Sequence, residues 1–268
     1  MNAIANETDV IMCYRLLLGR DPDPTGLVHF QTVIKEGRCT VDQLVELFLS
    51  SAEYHSRRQD QQLAQDALEI LDLARFRMKI APGWNAIHRE IKLTNEYEPH
   101  VAQQIEDHIR PGSIFIDVGA NCGFHSLLAA SLGAKVHAFE PNARNIWFIQ
   151  QNIALNEFII DIHPYAVGAS KSLVVYNPGD GNGSIYPFDS AILPSPDQQV
   201  MLTEPLDHYF GTMKVDLIKM DIEGAEGLAI RGASQLLEQR PTILFEYSPA
   251  ALEHISGISG ANFLETLV

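Results

Sequence analysis

The stretch Phe115–His125, FIDVGANCGFH, decides how this sequence folds. Its first half continues an apolar run that starts at Ser113 and ends on Asp117 and Val118, the texture of a short buried strand. Gly119, Asn121 and Gly123 then form a tight turn, and an apolar helical pattern covers Gly123–Leu132. Strand, turn and helix in this order build an open α/β sheet, whose ligands lie at the carboxyl ends of its strands. Glycine reaches positive φ without steric cost, and asparagine is the commonest substitute there. A dinucleotide fingerprint requires glycine at 119, 121 and 124, where this chain has Gly, Asn and Phe. A P-loop requires a closing Gly-Lys-Ser/Thr, which is missing. What remains is acid-x-Gly-x-x-x-Gly.

Working outward, a second apolar run, Lys135–Phe139, ends in Glu140, which follows Gly123 by 17 residues, near the ribose-binding position of nucleotide folds. Further runs cover Ile159–His163, Val215–Met220 and Thr242–Glu246, with a helical pattern over Asn142–Leu155. Near-continuous apolar strands separated by helices predict a parallel sheet covered on both faces. An insertion, Lys171–Phe210, carries a glycine-rich stretch, GDGNGSIYP, and one expected strand, Val200–Leu206. The fourth strand ends in Asp221, and Glu223-Gly224 opens the next helix. Two acids at adjacent strand tips beside a loop without a pyrophosphate signature suit a cationic nucleoside. S-adenosylmethionine, with its sulfonium and ammonium, is the expected ligand.

The segments FIDVGANCGFHSLLAA, VHAFEPNARNIWFIQQN and DLIKMDIEGAEGLAIRGA resemble the FkbM-type family of S-adenosylmethionine-dependent methyltransferases. NEYEPHVAQQI and TEPLDHYF are similar to that family's accessory segments, so the resemblance spans about Tyr97–Glu246. It implies a Rossmann-like class I methyltransferase sheet and O-methylation of a sugar, glycan or secondary metabolite. Asp117, Gly119, Asn121, Gly123 and Glu140 match the family's cofactor loop and ribose acid, and Lys219, Asp221 and Glu223 match its KxDxEG motif. Asp221 is then expected to face the methyl-donor end.

A hydroxyl acceptor needs a general base or a metal. The order of candidates is Asp221, Glu223, then His125. Asp221 has two alternative roles, cofactor contact or ligand to a divalent ion, and no sequence pattern supports the ion further. For His125 the alternative is packing in a first helical turn. Cys122 stands where the family commonly has isoleucine and reads as a small packed hydrophobe.

The first sixty residues read as a helical accessory domain. Val10, Ile11, Tyr14, Leu17 and Leu18 share a helix face, a second amphipathic run covers Leu27–Ile34, and Thr40-Val41-Asp42-Gln43 spells a capping box. Between the first two runs, GRDPDPTG breaks the pattern. Asp21, Asp23, Thr25 and Gly26 match four EF-hand positions, but Thr32 replaces the closing Glu, so a helix-entry turn is the preferred reading. YRLLLGRDPDPTGL…SSAEY resembles a short bacterial domain of unknown function appended to glycan-modifying enzymes and surface-layer proteins. Residues 61–112 are expected to be a helical connector, with a turn at Pro82-Gly83, and 113–268 the methyltransferase domain.

The chain has 268 residues, 46% hydrophobic, and a formal charge of −15. That charge opposes phosphate backbones and anionic lipid, so neither nucleic acid nor a membrane surface is an expected partner. No uncharged apolar run approaches a membrane span, and no signal peptide is legible at the N-terminus. Three scattered cysteines without a CxxC pair give no zinc or redox site and fit a reducing cytoplasm. Five strands are counted where this class normally has seven. Strand 242–246 is therefore expected as an exposed edge, to be covered by a missing C-terminal segment or an oligomer partner. A second functional class, a non-catalytic glycan- or partner-binding module with a decayed methyltransferase domain, is opposed by the intact Asp117, Glu140 and Asp221.

Overall fold

The computed structural model describes residues 4–18, 22–37, 39–51, 68–177, 183–189, 191 and 198–267. Contacts divide the chain into two compact units, Met1–Ala67 and Leu68–Val268. The expected boundary at residues 60 and 61 lies outside the described residues.

The first unit holds α1 (Glu7–Leu18), α2 (Pro24–Gly37) and α3 (Val41–Leu49) around a small core of Val10, Tyr14, Leu44 and Phe48. Phe30 stacks on Phe48 at 4.5 Å, and Tyr14 meets both rings edge-on. The capping box forms as spelled: Thr40 Oγ1 accepts from the Gln43 N–H, and Gln43 Oε1 accepts from the Thr40 N–H. Pro24 opens α2 rather than ending a break, and Asp23 Oδ1 accepts from the Gly26 N–H at 2.9 Å, a helix-entry turn. Asp21, and with it the complete calcium-loop reading, lies outside the described residues.

The second unit is built on a parallel sheet. Among the described residues its strands are β3 (Ile114–Val118), β4 (Lys135–Phe139), β5 (Ile160–His163), β10 (Leu217–Met220) and β11 (Thr242–Phe245), in the order β11-β10-β3-β4-β5. The order reverses between β3 and β10, and such a switch point opens a crevice at the strand ends. One face of the sheet packs Phe115 and Leu217 against Leu127 of α6 (Phe124–Ser131) and Phe148 of α7 (Ala143–Asn156). The other face packs Ile116, Ile218, Met220 and Phe139 with Leu236, Leu252 and Phe263. β11 is an edge strand with half-buried residues, and the helix over Gly260–Glu265 follows it.

Two expectations need correction. Residues 61–112 are not only helical. They contain a hairpin, β1 (Glu69–Asp72) with β2 (Arg77–Ile80), ahead of α4 (Ala86–Thr94) and α5 (Pro99–His108). Met78, Ile80, Ile91 and Ile105 join the main core. The outer edge of β2 is completed by side chains instead of another strand. Asn152 Oδ1 accepts from the Lys79 N–H at 2.6 Å, and Asn156 bonds both the N–H and the C=O of Arg77. The partners of that outer edge lie more than 70 positions away, so no local pattern marks it. The insertion likewise holds more than the one expected strand, which appears as β9 (Gln199–Glu204): with β7 (Ser172–Asn177), β8 (Ser184–Pro187) and, just ahead of the insertion, β6 (Ala166–Val167), it forms a small sheet in the order β6-β9-β7-β8.

Candidate functional site

The turn after β3 reads the local chemistry of its residues. Gly119 has φ +81°, and a Cβ there would sit 2.0 Å from the Asp221 carbonyl oxygen, so only glycine fits between the ends of β3 and β10. Asn121 takes φ +50°, and its Oδ1 accepts from the Cys122 N–H at 2.8 Å. Gly123, at φ +88°, leads directly into α6. A cleft opens above this turn.

Glu140, at the tip of β4, is 4% exposed and lines that cleft. Its carboxylate accepts from the N–H groups of Asn121 and Asn142, both at 2.8 Å. Burial pushes its carboxyl above the usual range, while those two N–H groups and the Asn145 side chain pull it back. Tyr176 of β7 stands close by, its hydroxyl pushed up to about 12 by burial and by Glu140. A Cβ at Gly183 would lie 2.0 Å from the Tyr176 hydroxyl, so the last glycine of GDGNG makes room for this ring. Gly179 and Gly181 of that stretch are outside the described residues.

Asp117 departs from its expected place. It is fully buried, and neither it nor Gly123 lines the cleft. Its Oδ2 accepts from Ser126 Oγ at 2.7 Å, and Oδ1 faces Lys219 Nζ at 3.5 Å without a hydrogen bond among the described residues. Lys219 Nζ donates to the Gly119 carbonyl at 3.0 Å and lies 3.6 Å from Asp221. Burial works against the Lys219 charge, but Asp117, Asp221 and Glu98 outweigh it and raise its pKa. Asp117 thus acts on the cleft through Lys219.

Asp221 and Glu223 line the cleft beyond β10, and their carboxylates converge with that of Glu246 to within 4.8 Å of one another. Among the described residues this trio has the spacing for a shared divalent cation. Burial first, then Glu246, Asp221 and Glu226, push the Glu223 carboxyl up to about 7. Glu223 also holds φ +56°. His125 is 3% exposed, lies beside the Tyr97 ring at 5.6 Å, and bonds Glu98 Oε2 through Nε2 at 2.9 Å. Glu98 itself sits at φ +44° immediately before Pro99, a conformation costing roughly 1–3 kcal/mol for a non-glycine residue.

The structure therefore brings Gly119, Asn121, Glu140, His125, Asp221 and Glu223 to one cleft and puts Asp117 beneath it. Tyr176, Asn142, Asn145 and Glu246 were missed. Tyr176 had no readable signal, whereas the Pro-Asn-Ala-Arg-Asn after Glu140 could have been read as a helix cap, because Asn142 Oδ1 does accept from the N–H groups of Arg144 and Asn145. All three cysteines are free and buried, and burial raises Cys122 to about 12, as a packed hydrophobe requires. Among the described residues no helix is long and apolar enough to cross a membrane.

Solved structures similar to this chain include the tRNA m1G37 methyltransferase of M. jannaschii, at 19% identity and TM-score 0.30, covering 37% of this chain and 29% of that one. The Pyrococcus abyssi tRNA (uracil-54, C5)-methyltransferase in complex with S-adenosyl-L-homocysteine matches at 13% identity and TM-score 0.40, covering 70% and 36%. Precorrin-6y C5,15-methyltransferase from Geobacter metallireducens matches at 15% and TM-score 0.38, covering 64% and 72%. The chain thus spans about a third of the length of the first two. No curated protein matches it. Residues 117–265, more than half of the chain, match the family described as Methyltransferase FkbM domain, and the chain belongs to that family.

Proposed function

We propose that this chain transfers a methyl group from S-adenosylmethionine to a hydroxyl of a sugar, glycan or secondary metabolite. The observation that carries the proposal is the convergence of the amide-held Glu140 carboxylate with Asp221 and Glu223 around one cleft at the strand ends. The residues fit the donor. Glu140 turns a carboxylate to the cleft where a ribose diol would donate two hydrogen bonds, and the glycine turn lets the main chain approach closely. Asp221 and Glu223 in the cleft lining, with Glu246 beside them and Glu98 behind His125, suit a positive ligand.

When bound, S-adenosylmethionine supplies a methyl group already activated by its sulfonium. Glu140 orients the ribose, and Lys219 holds Asp221 and the Gly119 carbonyl in place. Glu223 is the proposed general base, ahead of Asp221, because a carboxyl near 7 is half ionised at neutral pH and strong enough to take a hydroxyl proton. With the donor bound, an acceptor hydroxyl would be presented to that methyl group, and Glu223 would take the hydroxyl proton. Asp221, paired with Lys219, orients the acceptor. The charge of −15 disfavours a phosphate-rich acceptor.

Labelled methyl transfer tests this. Label from S-adenosylmethionine is expected in a sugar or glycan fraction, with Glu223→Gln silent. Label entering RNA alone, or carbon and nitrogen methylation in the product, would overturn the assignment.

A further inference from the structure

His125 has two ring nitrogens with opposite fates. Nε2 bonds Glu98 at 2.9 Å, while Nδ1 is buried and has no hydrogen-bond partner among the described residues. The ring lines the same cleft as Asp221 and Glu223. A buried polar atom without a partner asks for an explanation, and a ligand absent from the structure is one. Glu98 gives the second observation. It is held in the left-handed region in front of a proline, where neither its Cβ nor the following ring favours it. Strain of this kind persists only when surrounding contacts over-determine it. The bond to His125, with Lys219 and His100 nearby, is what holds the Glu98 carboxylate, keeping it below the usual carboxylate range.

We infer that Glu98 is a positioning residue which locks the His125 ring so that its free Nδ1 grips the amino-acid end of the methyl donor. The inference rests on S-adenosylmethionine occupying this cleft. In the tautomer that donates Nε2–H to Glu98, Nδ1 keeps a lone pair, and the α-ammonium of the donor is a matching hydrogen-bond source. The adenosine end, at Glu140 and Tyr176, is served by other elements and does not depend on this pair.

The two ends can be read separately by calorimetry. S-adenosylhomocysteine carries the amino-acid chain, whereas 5′-methylthioadenosine keeps the adenosine and sulfur without it. Glu98→Ala and His125→Ala are expected to weaken S-adenosylhomocysteine about tenfold and to leave 5′-methylthioadenosine unchanged. Glu98→Gln, which still offers an oxygen to Nε2–H, is expected to restore the first ligand. If His125→Ala does not fold, the contrast between Glu98→Ala and Glu98→Gln decides alone. Equal losses for both ligands would show a merely structural role and overturn the inference, as would unchanged S-adenosylhomocysteine affinity in Glu98→Ala. A wild-type chain that binds neither ligand would overturn the cleft assignment itself, a result distinct from both.

Discussion

The Asn121 N–H donates to the Glu140 carboxylate at 2.8 Å, which ties the turn after β3 to the tip of β4. The same carboxylate is the proposed acceptor for the ribose, so its removal acts twice. Glu140→Ala is expected to lower S-adenosylhomocysteine affinity about 100-fold, from two lost charge-assisted bonds. It should also destabilise the chain by about 1–3 kcal/mol, because two main-chain N–H groups lose their acceptor. Calorimetry and denaturant melts check both, and unchanged affinity would remove Glu140 from the site.

Lys219 and Asp117 are both buried, with Nζ 3.5 Å from Oδ1. Lys219→Met strands the Asp117 charge and is expected to cost about 3–5 kcal/mol. Adding Asp117→Asn should recover a large part of that loss. A double-mutant cycle with a coupling near zero would show that the two charges do not support each other.

The Glu223 carboxyl, raised to about 7, sets a pH dependence. Below that pH the group is protonated and cannot accept a proton, so kcat/KM for methyl transfer should fall about tenfold per pH unit on the acid side and level off above it. The acid limb is expected to vanish in Glu223→Gln, along with most of the rate. A limb that persists in that variant would assign the base to another group.

Gly119 has no room for a methyl group, since Cβ would lie 2.0 Å from the Asp221 carbonyl oxygen. Gly119→Ala should separate β3 from β10 at the cleft floor and abolish measurable S-adenosylhomocysteine binding, while Asn121→Gly, at a φ glycine adopts freely, should retain it. Equal affinity in Gly119→Ala and wild type would contradict the packing.

Asn152 and Asn156, one turn apart on α7, bond the main chain of β2. Asn152→Leu leaves the Lys79 N–H and C=O without partners and should cost roughly 2–4 kcal/mol. Hydrogen exchange at the Lys79 amide is the direct readout, and unaltered protection would refute the edge role.

Sequence by itself determined the parallel core. Its strands are continuous apolar runs ending in Asp117, Glu140 and Asp221, and each run sits beside a helix with its own periodicity, so local pattern and global fold agree. The turn was equally legible, because the steric demand for positive φ at 119, 121 and 123 falls on Gly, Asn and Gly. Only the tertiary structure decided what lies around that frame. The asparagine contacts to β2, the sheet carrying Tyr176, the Glu98–His125 bond and the gathering of Glu246 with Asp221 and Glu223 all join residues far apart in the chain. Asp117 shows the limit most clearly. Its spelling marks it as important, but only the packing of Lys219 and Ser126 against it turned an expected ligand contact into a buried counter-charge. Backbone sterics and hydrophobic period are written locally, whereas the partner of a charge is chosen by which segments the folded core presses together.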